Sequence, residues 1–185
     1  MNNIFNINME KKTLYILALF LIFSINTTAQ NDATGSIPQN IEIKTIDHEK
    51  VSSAVLQNEN NPFIICFWKS CCKTSLNFLQ AINDIYPDLQ EEFGIKIFAI
   101  SIDDARSSMQ VKPTVSGNAW EFEVFLDANS DLKRAMNVNL TPHCLLYDQD
   151  HIIKWQKTVC MPGDEFVILE EIQKISDPNK IRTDE

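Results

Sequence analysis

"FIICFWKSCCKTS", Phe63 to Ser75, places two adjacent cysteines where an apolar run ends. Phe63 to Trp68 is continuous and rich in β-branched and aromatic residues, which fits a strand covered on both faces rather than an alternating edge strand. Such a strand belongs in the middle of a sheet. From Thr74 to about Phe93, the residues Phe78, Leu79, Ile82, Ile85, Tyr86 and Leu89 recur at helical spacing with Asn77, Gln80, Asn83 and Asp84 between them. Pro87 lies inside that pattern. Its missing N–H and its ring should kink or divide the helix. Gly94 ends the helix, and Ile95 to Ile102 reads as a second buried strand. Strand, helix and strand then make a βαβ crossover, with parallel strands and a right-handed connection.

Working outward, Ile41, Ile43 and Ile46 suggest a short strand and Val51 to Leu56 another, closed by the turn residues "NENNP". The polar stretch Gln30 to Asn40 before them reads as loose. Beyond the crossover, Asp103 and Asp104 suit the start of a helix whose length Pro113 should limit. "FEVFLDA" is a third short strand, and Ser130-Asp131 could cap a short helix carrying Leu132, Ala135 and Met136. "LTPHCLLYDQDHIIKWQKT" reads as a hairpin of Cys144 to Tyr147 and His151 to Lys157. Gly163-Asp164 opens a last helix with Phe166, Leu169, Ile172 and Ile175 on one face. The tail from Ser176 is polar.

Composition excludes several functions. A chain of 185 residues with 44% hydrophobic composition supports one core. The net charge of -9, with no Lys/Arg cluster longer than a pair, argues against nucleic acid or an anionic lipid surface as partner. Four glycines form neither kind of phosphate-binding loop, so no nucleotide cofactor is expected. No metal is expected either. There is no C-x-x-C pair, and His48, His143 and His151 lack ligand spacing. Met9 to Lys12, the apolar run Leu14 to Ile25 and the small residues Thr27 to Ala29 have the layout of a cleaved signal peptide, with Gln30 as the mature start. A retained membrane anchor would need a longer run. Residues 1–29 are therefore read as signal, 30–40 as a flexible segment and 41–185 as the domain. Export to a periplasmic or envelope compartment would permit disulfides. The five cysteines are an odd number, so at least one stays free or pairs with another chain.

"FWKSCCKTS" followed by a helix, with "LTP" introducing a hairpin and a terminal helix, resembles the thioredoxin fold, and more narrowly the exported TlpA/ResA-like thiol-disulfide oxidoreductases. The resemblance covers about Ile41 to Ile175. It implies an α/β fold with a central mixed sheet flanked by helices on both faces. That family's active site reads F-W-x-x-W-C-x-x-C. Aligning Phe67-Trp68 with F-W sets Cys71 at the family's tryptophan, Cys72 at the nucleophile and Ser75 at the resolving cysteine. Thr74 replaces a common proline, and Cys66 falls where thioredoxins proper carry a buried aspartate. Thr141-Pro142 resembles the family's cis-proline, which with Trp68 is implied to line a groove for substrate. The implied partners are protein thiols or disulfides and an upstream reductant.

The position of Cys72 agrees with this. A thiol at a helix start lies near unpaired N–H groups and the positive end of the dipole, and Lys73 adds a charge, all of which favour thiolate. Ser75 has no thiol with which to release a mixed disulfide. Cys71 is either a strained vicinal resolver or a half-buried substitute for the aromatic lid. Cys144 and Cys160 read as core cysteines, with distant resolution as the alternative. His143 is a surface or edge-strand residue unless the proline brings it to the site. A peroxiredoxin would need P-x-x-x-[ST]-x-x-C, and that motif fails upstream of Cys72 at Lys69 and Ile65 and upstream of Cys71 at Trp68 and Ile64. The sequence thus reads as an exported monothiol C-x-x-S redox protein, with a binding module lacking chemistry as the alternative.

Overall fold

The computed structural model describes residues 35–176. The expected signal peptide therefore lies outside the described residues. Seven strands form one mixed sheet: β1 (Glu42–Thr45), β2 (Lys50–Ser52), β3 (Phe63–Trp68), β4 (Lys96–Ser101), β5 (Glu123–Leu126), β6 (His143–Tyr147) and β7 (Ile153–Thr158). Four helices flank it: α1 (Lys73–Phe93), α2 (Val111–Gly117), α3 (Asp131–Ala135) and α4 (Asp164–Ser176). The strand order is β2-β1-β5-β4-β3-β6-β7. β3 lies parallel to β4 and antiparallel to β6, so the crossover read from the sequence is present with the expected direction.

All six residues of β3 are buried, and their alternation divides the core in two. Ile64, Cys66 and Trp68 face a layer built by Phe78, Leu79 and Ile82 of α1, Val111 and Val115 of α2, and Ile168 and Ile172 of α4. Phe63, Ile65 and Phe67 face the other layer, with Ile43, Leu56, Leu132, Val138 and Tyr147. Burying each such side chain contributes roughly 1.5–3 kcal/mol, so β3 is the best-anchored strand in the sheet. Ile37 is buried in the second layer, and the Pro38 carbonyl accepts a hydrogen bond from Ser53 Oγ. From Gly35 onward the chain is therefore docked on the sheet, where the sequence suggested a loose segment up to Asn40.

Four local expectations are corrected. Pro87 does not divide α1, which runs unbroken from Lys73 to Phe93, because Phe78, Leu79 and Ile82 before the proline and Leu89 after it pack into one layer. Gly94, at φ 62°, closes that helix in the left-handed conformation glycine tolerates best. Pro113 sits within the first turn of α2 rather than limiting it, a position where a missing N–H costs little. Ser130 makes no side-chain cap; the buried Asp127 carboxylate accepts from the N–H groups of Leu132 and Lys133 instead, and burial pushes its pKa up. Phe166 is exposed, and the inward face of α4 is set by Ile168 and Ile172.

Pro87 is exposed, and its missing N–H leaves α1 one hydrogen bond short. Pro87→Ala should therefore raise stability by about 1–3 kcal/mol. Equilibrium denaturation measures it.

Candidate active site: Cys72 at the first turn of α1

The buried run of β3 ends at Trp68, whose carbonyl accepts from Ile102 N–H at 2.9 Å. The chain then makes one tight turn, closed by Cys72 N–H donating to the Lys69 carbonyl at 3.0 Å, and α1 begins. Cys72 is thus the N-cap residue of α1, with extended backbone angles of φ -95° and ψ 104°. Its thiol is half-buried, and Cys71 beside it is exposed. Cys71 is thus not half-buried, as a lid was expected to be.

Ser75, one turn along α1, is fully buried, and its Oγ makes no regular hydrogen bond. As a thiol Cys72 makes no capping bond either. The two groups nevertheless lie close enough to act on each other. The Ser75 hydroxyl is the main influence lowering the Cys72 pKa, against the opposing effect of partial burial, with further lowering from the N–H groups of Ser75 and Thr74 and the Thr74 hydroxyl. Donors aimed at the sulfur stabilise its ionised form. The expected contribution of Lys73 is replaced by these nearer dipoles; its side chain points into solvent. So Ser75 at the expected resolving position offers a donor in place of a second sulfur.

Trp68 is wholly buried, packing edge-on against Trp120 with ring centroids 5.2 Å apart. It belongs to the core layer beneath α1 and presents no surface to a substrate, unlike its expected place in the groove. The Thr141–Pro142 peptide bond is cis. The β3–β6 register pairs Phe67 with His143, so Pro142 and Thr141 follow at the end of the sheet where the Lys69–Cys72 turn leaves β3. The Pro142 carbonyl accepts from Val159 N–H at 2.7 Å. His143 has Nδ1 2.7 Å from Thr158 Oγ1, and burial pushes its pKa down.

The remaining cysteines lie in the core. Cys66 and Cys144 face each other on β3 and β6 and are disulfide-bonded, with Cα atoms 4.2 Å apart. Sequence spacing gave no sign of this pair, because their opposition depends on the β3–β6 register. Cys160 is buried, donates its thiol to the Lys157 carbonyl at 3.3 Å, and has its pKa pushed up to about 11 by burial. None of the three is poised as a distant resolver. Asp103, read from the sequence as a helix cap, is wholly buried and accepts hydrogen bonds from Ser70 N–H, Ser70 Oγ and Ser101 Oγ, each at 2.8 Å. Asp104 alone caps the following turn, accepting from Ser107 N–H at 2.8 Å. The one sequence signal for Asp103 was its place directly after a buried strand. No cluster among the described residues could hold a metal ion.

Residues 34–159 match the family described as AhpC/TSA. The chain belongs to the AhpC/TSA family. An uncharacterized thioredoxin-like protein from Porphyromonas gingivalis is similar over 77% of this chain and 93% of its own, at 36% identity and a TM-score of 0.68. A secreted disulfide oxidoreductase of Mycobacterium tuberculosis matches at 14% identity and a TM-score of 0.60, covering 72% of this chain and 94% of its own. A thiol-disulfide oxidoreductase of Bacteroides fragilis matches at 16% and 0.59, covering 74% and 98%. These last two likenesses show the fold, which is thioredoxin-like. No curated protein matches the sequence.

The Ser75 hydroxyl favours thiolate at Cys72, so its removal should raise that pKa. Ser75→Ala should slow alkylation of Cys72 about two- to threefold at pH values below the thiol's midpoint, less than the effect of a full hydrogen bond of about 1 kcal/mol. Rate against pH, followed by mass spectrometry, checks it.

Proposed function

We propose that this protein is an exported, TlpA-like thiol-disulfide redox protein acting through Cys72 alone. The observation that carries the reading is the pairing of a half-exposed thiol, its pKa lowered at a helix start, with a buried serine one turn away where a second sulfur would be needed for release. The Cys72 thiolate attacks a protein disulfide; that S–S bond breaks, one substrate sulfur bonds to Cys72, and the other leaves as thiolate and takes a proton. Release then requires a thiol from an external reductant, which attacks the mixed disulfide and returns Cys72 to the thiolate. Thr141 and Pro142 would border the groove in which an extended substrate lies.

Export is supported by the signal-like residues 1–29 and by the buried Cys66–Cys144 disulfide, a bond that persists in oxidising compartments. No helix among the described residues is long and apolar enough to cross a membrane. A second reading, a binding module that keeps the groove without turnover, is favoured by the same loss of the second sulfur at Ser75.

Ser75→Cys separates the two. The wild type should capture a disulfide-bonded protein and release it slowly, and Ser75→Cys should accelerate reduction of that protein by at least about tenfold. Cys72→Ser in addition should abolish the gain. A wild type that forms no adduct at Cys72 favours the binding module.

A further inference from the structure

Asp103 is a carboxylate with no exposed surface, set one residue past Ile102, whose N–H continues the β3–β4 pairing to Trp68. A buried carboxylate is costly unless its oxygens are satisfied. Here one oxygen accepts from Ser70 N–H and Ser101 Oγ and the other from Ser70 Oγ. Two of these three bonds go to a single residue, and that residue lies inside the turn that Cys72 N–H closes on the Lys69 carbonyl. Ser70 is held by both its backbone and its side chain. Three hydrogen bonds of 2.8 Å, two of them to Ser70, make this grip firm.

We propose that Asp103 is a positioning residue: by holding Ser70 at two points it fixes the Lys69–Cys72 turn, and so sets where the Cys72 sulfur stands against the first turn of α1. The geometric requirement is strict, because the donors that favour thiolate at Cys72 belong to Thr74 and Ser75, on the far side of the N-cap from the turn. α1 is anchored by its own packing and the turn by Asp103. The sulfur's contact with the Ser75 hydroxyl depends on both. The influence of Asp103 on the thiol runs through the position of Ser70, which it holds at two points. This inference rests on Cys72 being the reactive thiol.

The test is the rate of Cys72 alkylation against pH in the full chain, with Cys71, Cys72 and Cys160 resolved by fragment-ion mass spectrometry. Asp103→Ala removes both points of the grip and should slow Cys72 about tenfold below the midpoint of the wild-type profile, through a smaller thiolate fraction. Ser70→Ala removes only the hydroxyl contact and should shift the profile the same way by about threefold. Asp103→Asn keeps an oxygen for Ser70 N–H and presents a donor that Ser70 Oγ can accept, so it should restore most of the wild-type profile. Buried Cys160 should stay unlabelled throughout, reporting an intact core. Unmoved profiles in both alanine variants would overturn the proposal, as would a shift that appears only with labelling of Cys160, since Asp103 would then be supporting the fold alone. If the wild type itself alkylates Cys72 no faster than Cys71, the choice of nucleophile fails before the variants are compared, and the two failures are thereby distinguished.

Discussion

Six consecutive buried residues, Phe63 to Trp68, leave the chain no freedom until Lys69. They are hydrogen-bonded on both edges, to β4 and β6, and packed on both faces. The turn that follows therefore starts from a fixed point in space. α1 begins four residues later from a second fixed surface, its apolar stripe. What lies between, Lys69 to Cys72, must span two immobile anchors, and the thiol at its end inherits their precision. A reactive side chain at the rim of a core needs this kind of support, since loops alone hold geometry less tightly.

On the proposed reading, with Ser75 standing where a second sulfur would act, two tasks that one residue can perform together are separated. A buried donor near Cys72 favours its thiolate, which promotes attack. A hydroxyl cannot take part in disulfide exchange, so release would have to come from outside the chain. On that reading the site would be suited to capture more than to turnover. Cys71, adjacent in sequence, could resolve Cys72 only through a strained vicinal ring, and the three remaining sulfurs lie in the core.

How much of this was legible in the sequence depended on the range of the interactions. β3, α1 and the crossover were readable because hydrophobic run and helical period are local signals, and the hairpin because turn residues separate its strands. The tolerance of Pro87 was not, since the packing that offsets it comes from residues on both sides in one layer. The Cys66–Cys144 pair and the hold of Asp103 on Ser70 required the register of strands far apart in sequence, which periodicity does not encode. Cys72 is singled out in the sequence by its place before the helix, and the structure puts it at the N-cap of α1. Ser75 stands out in the sequence for the thiol it lacks, while its influence on the Cys72 pKa depends on its burial one turn along α1.

The central claim is that Cys72 attacks disulfides and has no partner within the chain to release it. Exposure of the reduced protein to an equimolar small disulfide such as oxidised glutathione, followed by acid quenching and fragment-ion mass spectrometry, tests it most directly. The account predicts glutathione on Cys72, persisting until an external thiol is added. An adduct that forms first on Cys71, or one on Cys72 that resolves into a Cys71–Cys72 disulfide, would contradict it.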